Sequence, residues 1–237
     1  MSQRFNGEET VGAIVADFPG ASNLFKEMKI DFCCGGNRAL SEVVRAQGLN
    51  GDDILTRLNE SYAEAAARSE ARGVDWREAP IPELVDYIVD RHHAYLKKEL
   101  PLLSEFVTKV LRVHGSEHAE LAGLHKRFHQ MKIELDQHLI AEEETLFPLL
   151  KQFAAEPTPE MREKAAKNLD DLEKDHSVVG DYLKEMREIT DGYALPSGAC
   201  NTYVLAFRKL GELESDLFEH IHLENNILFP RIAHESA

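Results

Sequence analysis

His138-Leu-Ile-Ala-Glu142 is followed by Leu146-Phe147-Pro148, and His220-Ile-His-Leu-Glu224 by Leu228-Phe229-Pro230. Both copies run His, Glu at +4, Leu at +8, Phe at +9 and Pro at +10. On a helix, residues i and i+4 share a face with Cβ atoms about 6 Å apart. Each copy therefore sets an imidazole beside a carboxylate, a donor pair that suits iron, manganese or zinc. Two such pairs facing each other can hold two ions. Unrelated His/Glu pairs are common on charged helices, but five matched positions in one register argue against coincidence.

The repeat reaches further back. His93 lies 45 residues before His138, and His176 lies 44 residues before His220. The chain thus reads as two hairpins, each with one His on its first helix and His-x-x-x-Glu on its second. Two ions about 3.5–4 Å apart need bridging ligands to offset their repulsion. A carboxylate has two oxygens and can bridge, so Glu142 and Glu224 are expected as bridges and each ion takes two His. Six side chains do not saturate two octahedral ions. Oxo, hydroxo or water ligands fill the rest, leaving positions for small molecules such as dioxygen or nitric oxide.

Among Glu142, Glu143 and Glu144 only Glu142 lies near the His138 direction, and the second copy has Asn225 and Asn226 at the other two positions. Periodicity leaves His92 and His93 even: the apolar stripe of Ile81, Leu84, Val85, Ile88 and Leu103 is centred closer to His92, whereas spacing prefers His93. Glu134, one turn before His138, and Asp175, just before His176, either orient a ligand His or are solvated charges. His125, His129 and His222 point away from the ligand faces, where satisfied polar or surface roles are expected.

These residues need long helices. Four helical patterns run over roughly 82–113, 118–153, 158–190 and 199–233, separated by Gly115, by Glu156-Pro157-Thr158-Pro159 and by Pro196-Ser197-Gly198. Short connections make neighbouring helices antiparallel. Before them, Val11, Ile14, Val15 and Phe18 have helical spacing up to Pro19-Gly20. Leu24, Phe25 and Met28 suggest a second short helix, Leu40, Val43 and Val44 a third, and Ile54, Leu55 and Leu58 a fourth with Asp52 or Asp53 near its N-terminus. Asp31-Phe32-Cys33-Cys34-Gly35-Gly36-Asn37 is a turn by composition. The expected organisation is all-α: a small helical domain over 1–62, a linker over 63–80 anchored by Trp76, and a four-helix bundle over 81–237.

A formal charge of −15 on 237 residues argues against a nucleic-acid backbone or an anionic membrane surface as partner. No apolar run approaches the roughly 18 residues of a membrane span. Three Cys are an odd number for a secreted disulfide framework, and the expected compartment is the cytoplasm.

The His/Glu set resembles the hemerythrin-like di-iron family. The whole chain is more closely similar to the iron-sulfur cluster repair family known as RIC, YtfE, ScdA or DnrN. Two blocks carry that likeness: Asp31-Phe32-Cys33-Cys34-Gly35-Gly36, as in the short ScdA-type N-terminal domain, and His220 to Pro230 with its partner around His138 and Glu142. The resemblance implies a hemerythrin-like bundle with an oxo- or hydroxo-bridged pair of non-haem irons held by His93, His138, Glu142, His176, His220 and Glu224. It places the first ligand eight residues before the Pro of Leu100-Pro101, which selects His93. It also sets Glu134 where the family has a Glu proposed to influence substrate or proton access.

The implied function is repair of clusters damaged by nitrosative or oxidative stress, with iron-sulfur client proteins as partners and nitric oxide or oxygen as small ligands. Nitric oxide reduction, or nitric oxide or oxygen binding in a sensor or store, are the alternatives, and a homodimer is left open. Adjacent Cys seldom form a stable bond with each other. Cys33 and Cys34 therefore read either as a thiol site for redox chemistry, nitric-oxide chemistry or iron delivery, or as small buried apolar groups beside a Gly turn. Cys200, at a helix start, is expected to be structural.

Overall fold

The computed structural model describes residues 4–67 and 74–234, so the middle of the expected 63–80 linker lies outside the described residues. Among the described residues every regular element is helical, apart from one isolated antiparallel bridge between Thr10 and Ala39. Four short helices come first: α1 (Val11–Asp17), α2 (Ala21–Glu27), α3 (Leu40–Gln47) and α4 (Gly51–Ala67). Thr10 caps α1 by accepting from the Ala13 N–H at 3.2 Å, a bond worth about 1 kcal/mol. Gly48 ends α3 at φ 66°, a left-handed conformation that favours glycine. The side chain that caps α4 is Asn50, which accepts from the Asp53 N–H at 3.3 Å. Asp52 and Asp53 lie in the first turn, where their charge meets the positive end of the helix.

Four long rods follow. Ile81–Tyr87, Ile88–His93 and Ala94–His114 run on as α5, and Glu120–Ala141, Glu142–Leu146 and Phe147–Ala155 as α6. Pro159–Ile189 is α7, and Asn201–Leu223, Glu224–Leu228 and Phe229–His234 form α8. The middle segments of α5, α6 and α8 are π-helical. Two of these wide turns have a cause in the repeat. Pro148 and Pro230 have no N–H, and each proline ring clashes with the carbonyl four residues back in a regular α-helix. Widening the turn relieves this, and the Phe147 and Phe229 N–H groups bond back to the carbonyls of Glu142 and Glu224. The +10 proline thus shapes the backbone at the +4 carboxylate. Nothing in the structure explains the wide turn at Ile88–His93, where His92 and His93 are both buried.

The chain divides into two compact units, Val85–Leu217 and Met1–Leu84 with Phe218–Ala237. In the first, cross-helix pairs step in opposite directions along neighbouring rods, which makes them antiparallel. Ser104 meets His129 and Thr108 meets His125 between α5 and α6. Arg127 meets Glu185 and His138 meets His176 between α6 and α7. His92 meets Asp216 and Glu99 meets Lys209 between α5 and α8. The result is a four-helix bundle. Its core is apolar at helical spacing, as in Leu96, Leu100, Leu103, Val107 and Val110 of α5, each side chain contributing about 1.5–3 kcal/mol by burial.

In the second unit the four short helices gather around Phe5, Phe25, Ile30 and Phe32. The Phe32 ring lies 5.9 Å from that of Phe218 and 5.8 Å from the His222 imidazole. The Trp76 carbonyl accepts from Arg231 Nη1 at 2.8 Å. No helix among the described residues is long and apolar enough to cross a membrane.

Candidate metal centre

In the Val85–Leu217 unit, α5 supplies His93, α6 supplies His138 and Glu142, and α7 supplies His176. All four are buried, Glu142 completely. His138 Nε2 is 2.9 Å from His176 Nε2 and 3.2 Å from Glu142 Oε2. His93 Nε2 is 3.4 Å from Glu142 Oε2. In the other unit, α8 sets His220 Nε2 3.0 Å from Glu224 Oε1, and Glu224 is also completely buried. The ligand atoms of His138, Glu142 and His176 lie within 4.8 Å of one another, as do those of His93 with Glu142 and of His220 with Glu224.

These donors fit a cation on two grounds. Two ligands about 2.1 Å from one ion at a right angle stand about 3 Å apart, the spacing of the pairs above. Burying a carboxylate costs several kcal/mol unless a positive partner compensates it, and a divalent ion among neutral imidazoles supplies that charge. The buried His/Glu clusters are therefore able to hold metal.

The surroundings orient one of these candidate ligands. His93 Nδ1 is 2.8 Å from Glu143 Oε1, and Lys97 Nζ donates to Glu143 Oε2 at 2.6 Å. Burial pulls the Glu143 carboxyl upward, but the bonds from Lys97 and His93 outweigh it and hold the group below its ordinary range. Glu143 is thus ionised and accepts the Nδ1–H, which leaves the Nε2 lone pair of His93 facing Glu142. The His93 ring also stacks on Phe147, with centroids 5.5 Å apart, so the +9 position of the repeat supports a donor. Replacing Glu143 by Gln is expected to weaken metal binding roughly 10–100-fold while leaving the helix content unchanged. Competition with a chelator measures it, and equal retention in both proteins would remove this role.

His92 takes a different partner, its Nδ1 lying 3.1 Å from Asp216 Oδ1. Glu134 is half-buried and makes no hydrogen bond or ion pair among the described residues. The Asp175 carboxylate lies 3.6 Å from His138 Nδ1, beyond a good hydrogen bond, and stands by His138 rather than by its neighbour His176. His125 and His129 bond to the hydroxyls of Thr108 and Ser104. Sequence reasoning passed over Glu143 as a group that orients a ligand. Its charge beside Glu142 was visible, but its partners sit on α5.

His222 faces the N-terminal helices, where Nδ1 lies 3.4 Å from the Phe32 carbonyl, and burial pushes its imidazole down to about 4. Asn226 Nδ2 donates to the carbonyls of Phe32 and Cys33 at 3.3 and 3.0 Å. Cys33 is buried, and Cys34 is half-exposed beside it. The Cys34 thiol and burial together push the Cys33 thiol well up. Cys200, expected as structural, is exposed, with its Sγ 3.2 Å from His114 Nε2.

Comparison with known proteins bears on the whole chain. Residues 84–232 match the family described as Hemerythrin HHE cation binding domain. Residues 7–62 match ScdA_N, described as a domain of unknown function (DUF542). The chain is 37% identical over 224 residues to the iron-sulfur cluster repair protein YtfE of Pectobacterium atrosepticum, covering 94% of this chain and 96% of that protein. It is 33% identical over 226 residues to the iron-sulfur cluster repair protein ScdA of Staphylococcus haemolyticus, covering 95% and 98%. A YtfE of Yersinia pseudotuberculosis is 33% identical over 223 residues, covering 94% and 96%. With both domains matched in order and the similarity running nearly end to end, the chain belongs to the hemerythrin HHE family and, within it, to the group of the YtfE and ScdA proteins.

Proposed function

We propose that this chain is a di-iron protein that repairs iron-sulfur clusters damaged by nitrosative or oxidative stress, and that it acts by supplying iron. Nearly full-length similarity to proteins named for iron-sulfur cluster repair carries the reading. The buried His/Glu donors give it a chemical basis. On this reading His93, His138, His176 and His220 hold two irons, two His to each, and Glu142 and Glu224 bridge them. The repeated hairpin supports the pairing, and so does the wide turn that starts at each of the two Glu.

When bound, the iron pair supplies exchangeable metal and one-electron chemistry. The chain's own residues do the rest. Glu143 and Lys97 hold the His93 proton on Nδ1, so that Nε2 stays a donor. Phe147 stacks on the His93 ring and holds its orientation, and Leu146 and Leu228, one turn after Glu142 and Glu224, are buried. Six donors for two ions leave coordination incomplete, which favours release to a client over permanent storage. Iron-sulfur client proteins and their damaged clusters are the partners, with nitric oxide or oxygen as small ligands.

The test uses a [4Fe-4S] hydratase inactivated by a nitric-oxide donor. The iron-loaded full-length protein is added anaerobically with a reductant and a chelator that intercepts free iron. Hydratase activity is expected to return as iron leaves the repair protein. Recovery no greater than with the iron-free protein would sink the iron-supply reading. Nitrous oxide formed in turnover without cluster recovery would move the assignment to nitric oxide reduction.

A further inference from the structure

A second group of potential ligands lies outside the His/Glu set. Asp31, Cys33 and Cys34 each offer one ligand atom, and the three atoms lie within 4.8 Å of one another. Cys33 Sγ is 3.8 Å from Cys34 Sγ and 3.3 Å from Asp31 Oδ1. Two thiolates about 2.3 Å from one tetrahedral ion stand about 3.8 Å apart, and a thiolate and a carboxylate oxygen about 3.6 Å apart. The sulfur spacing is already that of two ligands on one ion. It is far from the roughly 2.0 Å of a disulfide.

The turn that presents these groups is held from both sides. Asp31 Oδ1 accepts from the N–H groups of Cys33 and Gly35 at 3.2 and 3.1 Å, which keeps the carboxylate beside the thiols. Asn226 of α8 holds the Phe32 and Cys33 carbonyls, and the Gly36 carbonyl accepts from the Gly12 N–H of α1 at 2.8 Å. A Cβ on Gly12 or Gly36 would stand 2.3 or 2.2 Å from Asn226 Oδ1, so the close approach of turn, helix and amide depends on both glycines. Cys33 is buried, whereas Asp31 and Cys34 are half-exposed. An ion bound here is shielded on one side and reachable on the other.

We infer that Asp31, Cys33 and Cys34 form a second metal site, which takes one thiophilic divalent cation such as Fe²⁺ or Zn²⁺ and leaves its fourth coordination position open. On binding, two S–H bonds break, two metal–thiolate bonds form, and two protons pass to solvent. No electron moves. Three protein ligands and an open position mark sites that exchange or activate, in contrast to closed structural sites. A thiolate of another protein can complete the coordination, which makes the site a station for passing a metal ion on. The inference goes beyond the repair reading and holds or fails independently of it.

The probe is Cd²⁺, titrated anaerobically into the reduced, iron-loaded full-length protein carrying Cys200→Ser. Thiolate-to-metal charge transfer in the ultraviolet reports only thiolate sites, so binding at the His/Glu set is silent. One Cd²⁺ per chain is expected to develop the band, with two protons released per ion. The Cys34→Ser variant should lose about half of the band or more. The Asp31→Asn variant should keep the band at saturation but need at least about tenfold more Cd²⁺, the scale on which even outer partners of a metal site act. Unchanged iron content and circular dichroism in each variant show that the fold and the His/Glu set persist. Absence of the band in the Cys200→Ser protein, its persistence in a Cys33→Ser/Cys34→Ser double variant, or equal Cd²⁺ affinity in Asp31→Asn would each overturn the site.

Discussion

Glu142→Ala and Glu224→Ala are each expected to yield a helical protein that purifies with less than half of the iron of the parent, which should itself carry about two irons per chain. Both carboxylates are completely buried and lie within 3.0–3.4 Å of imidazole nitrogens. On the proposed assignment each is a bridge, so its removal would deprive both ions of a ligand and restore their mutual repulsion, a larger loss than that of one end-on donor. An affinity loss of at least about 100-fold follows, the upper end of what an outer partner alone costs. Elemental analysis and the visible spectrum of the purified proteins measure it. Glu144→Ala, exposed one residue beyond Glu143, is the matched control and should leave the iron unchanged. A single zinc in the parent, or undiminished iron in both variants, would refute the di-iron assignment.

Gly36→Ala is expected to destabilise the protein by about 2–4 kcal/mol, a large effect for one methyl group. A Cβ at this position would stand 2.2 Å from Asn226 Oδ1 and 2.7 Å from the Phe32 carbonyl oxygen. The second neighbour is backbone of the turn itself and cannot swing aside, so the turn must shift. That movement breaks the bonds from Asn226 to the Phe32 and Cys33 carbonyls. Gly48→Ala is the comparison. There φ is 66° and nothing lies within 4 Å, so only the left-handed backbone is penalised, at about 1 kcal/mol. Urea midpoints at equal m-value separate the two. A Gly36→Ala shift no larger than that of Gly48→Ala would show that the turn is not clamped as described. Trimming Asn226 in the double variant should recover only part of the loss, because the Phe32 carbonyl remains.

Much of this molecule is written in local patterns. The spacing of Leu84, Ile88, Leu96 and Leu103, and of their counterparts, marks four rods, because a helix face repeats every 3.6 residues whatever it packs against. The pairing of His138 with Glu142 and of His220 with Glu224 is likewise a property of one helix. Even two of the three wide turns follow locally from Pro148 and Pro230, although the repeat alone did not reveal that the prolines act on the carboxylate positions.

Partners from other elements were not legible. Periodicity left His92 and His93 even because both are buried. They separate only because Asp216 of α8 takes His92, whereas Glu142 and Glu143 of α6 receive His93. The local pattern set Glu143 aside in favour of Glu142, and its role emerged only where α5 brought Lys97 and His93 to it. The Cys-Cys-Gly-Gly turn could be read as a turn, but Asn226, nearly two hundred residues away, holds its carbonyls. Backbone propensity and side-chain period depend on near neighbours in the chain. Which buried polar group meets which depends on how the helices pack, and that information is spread over the whole sequence.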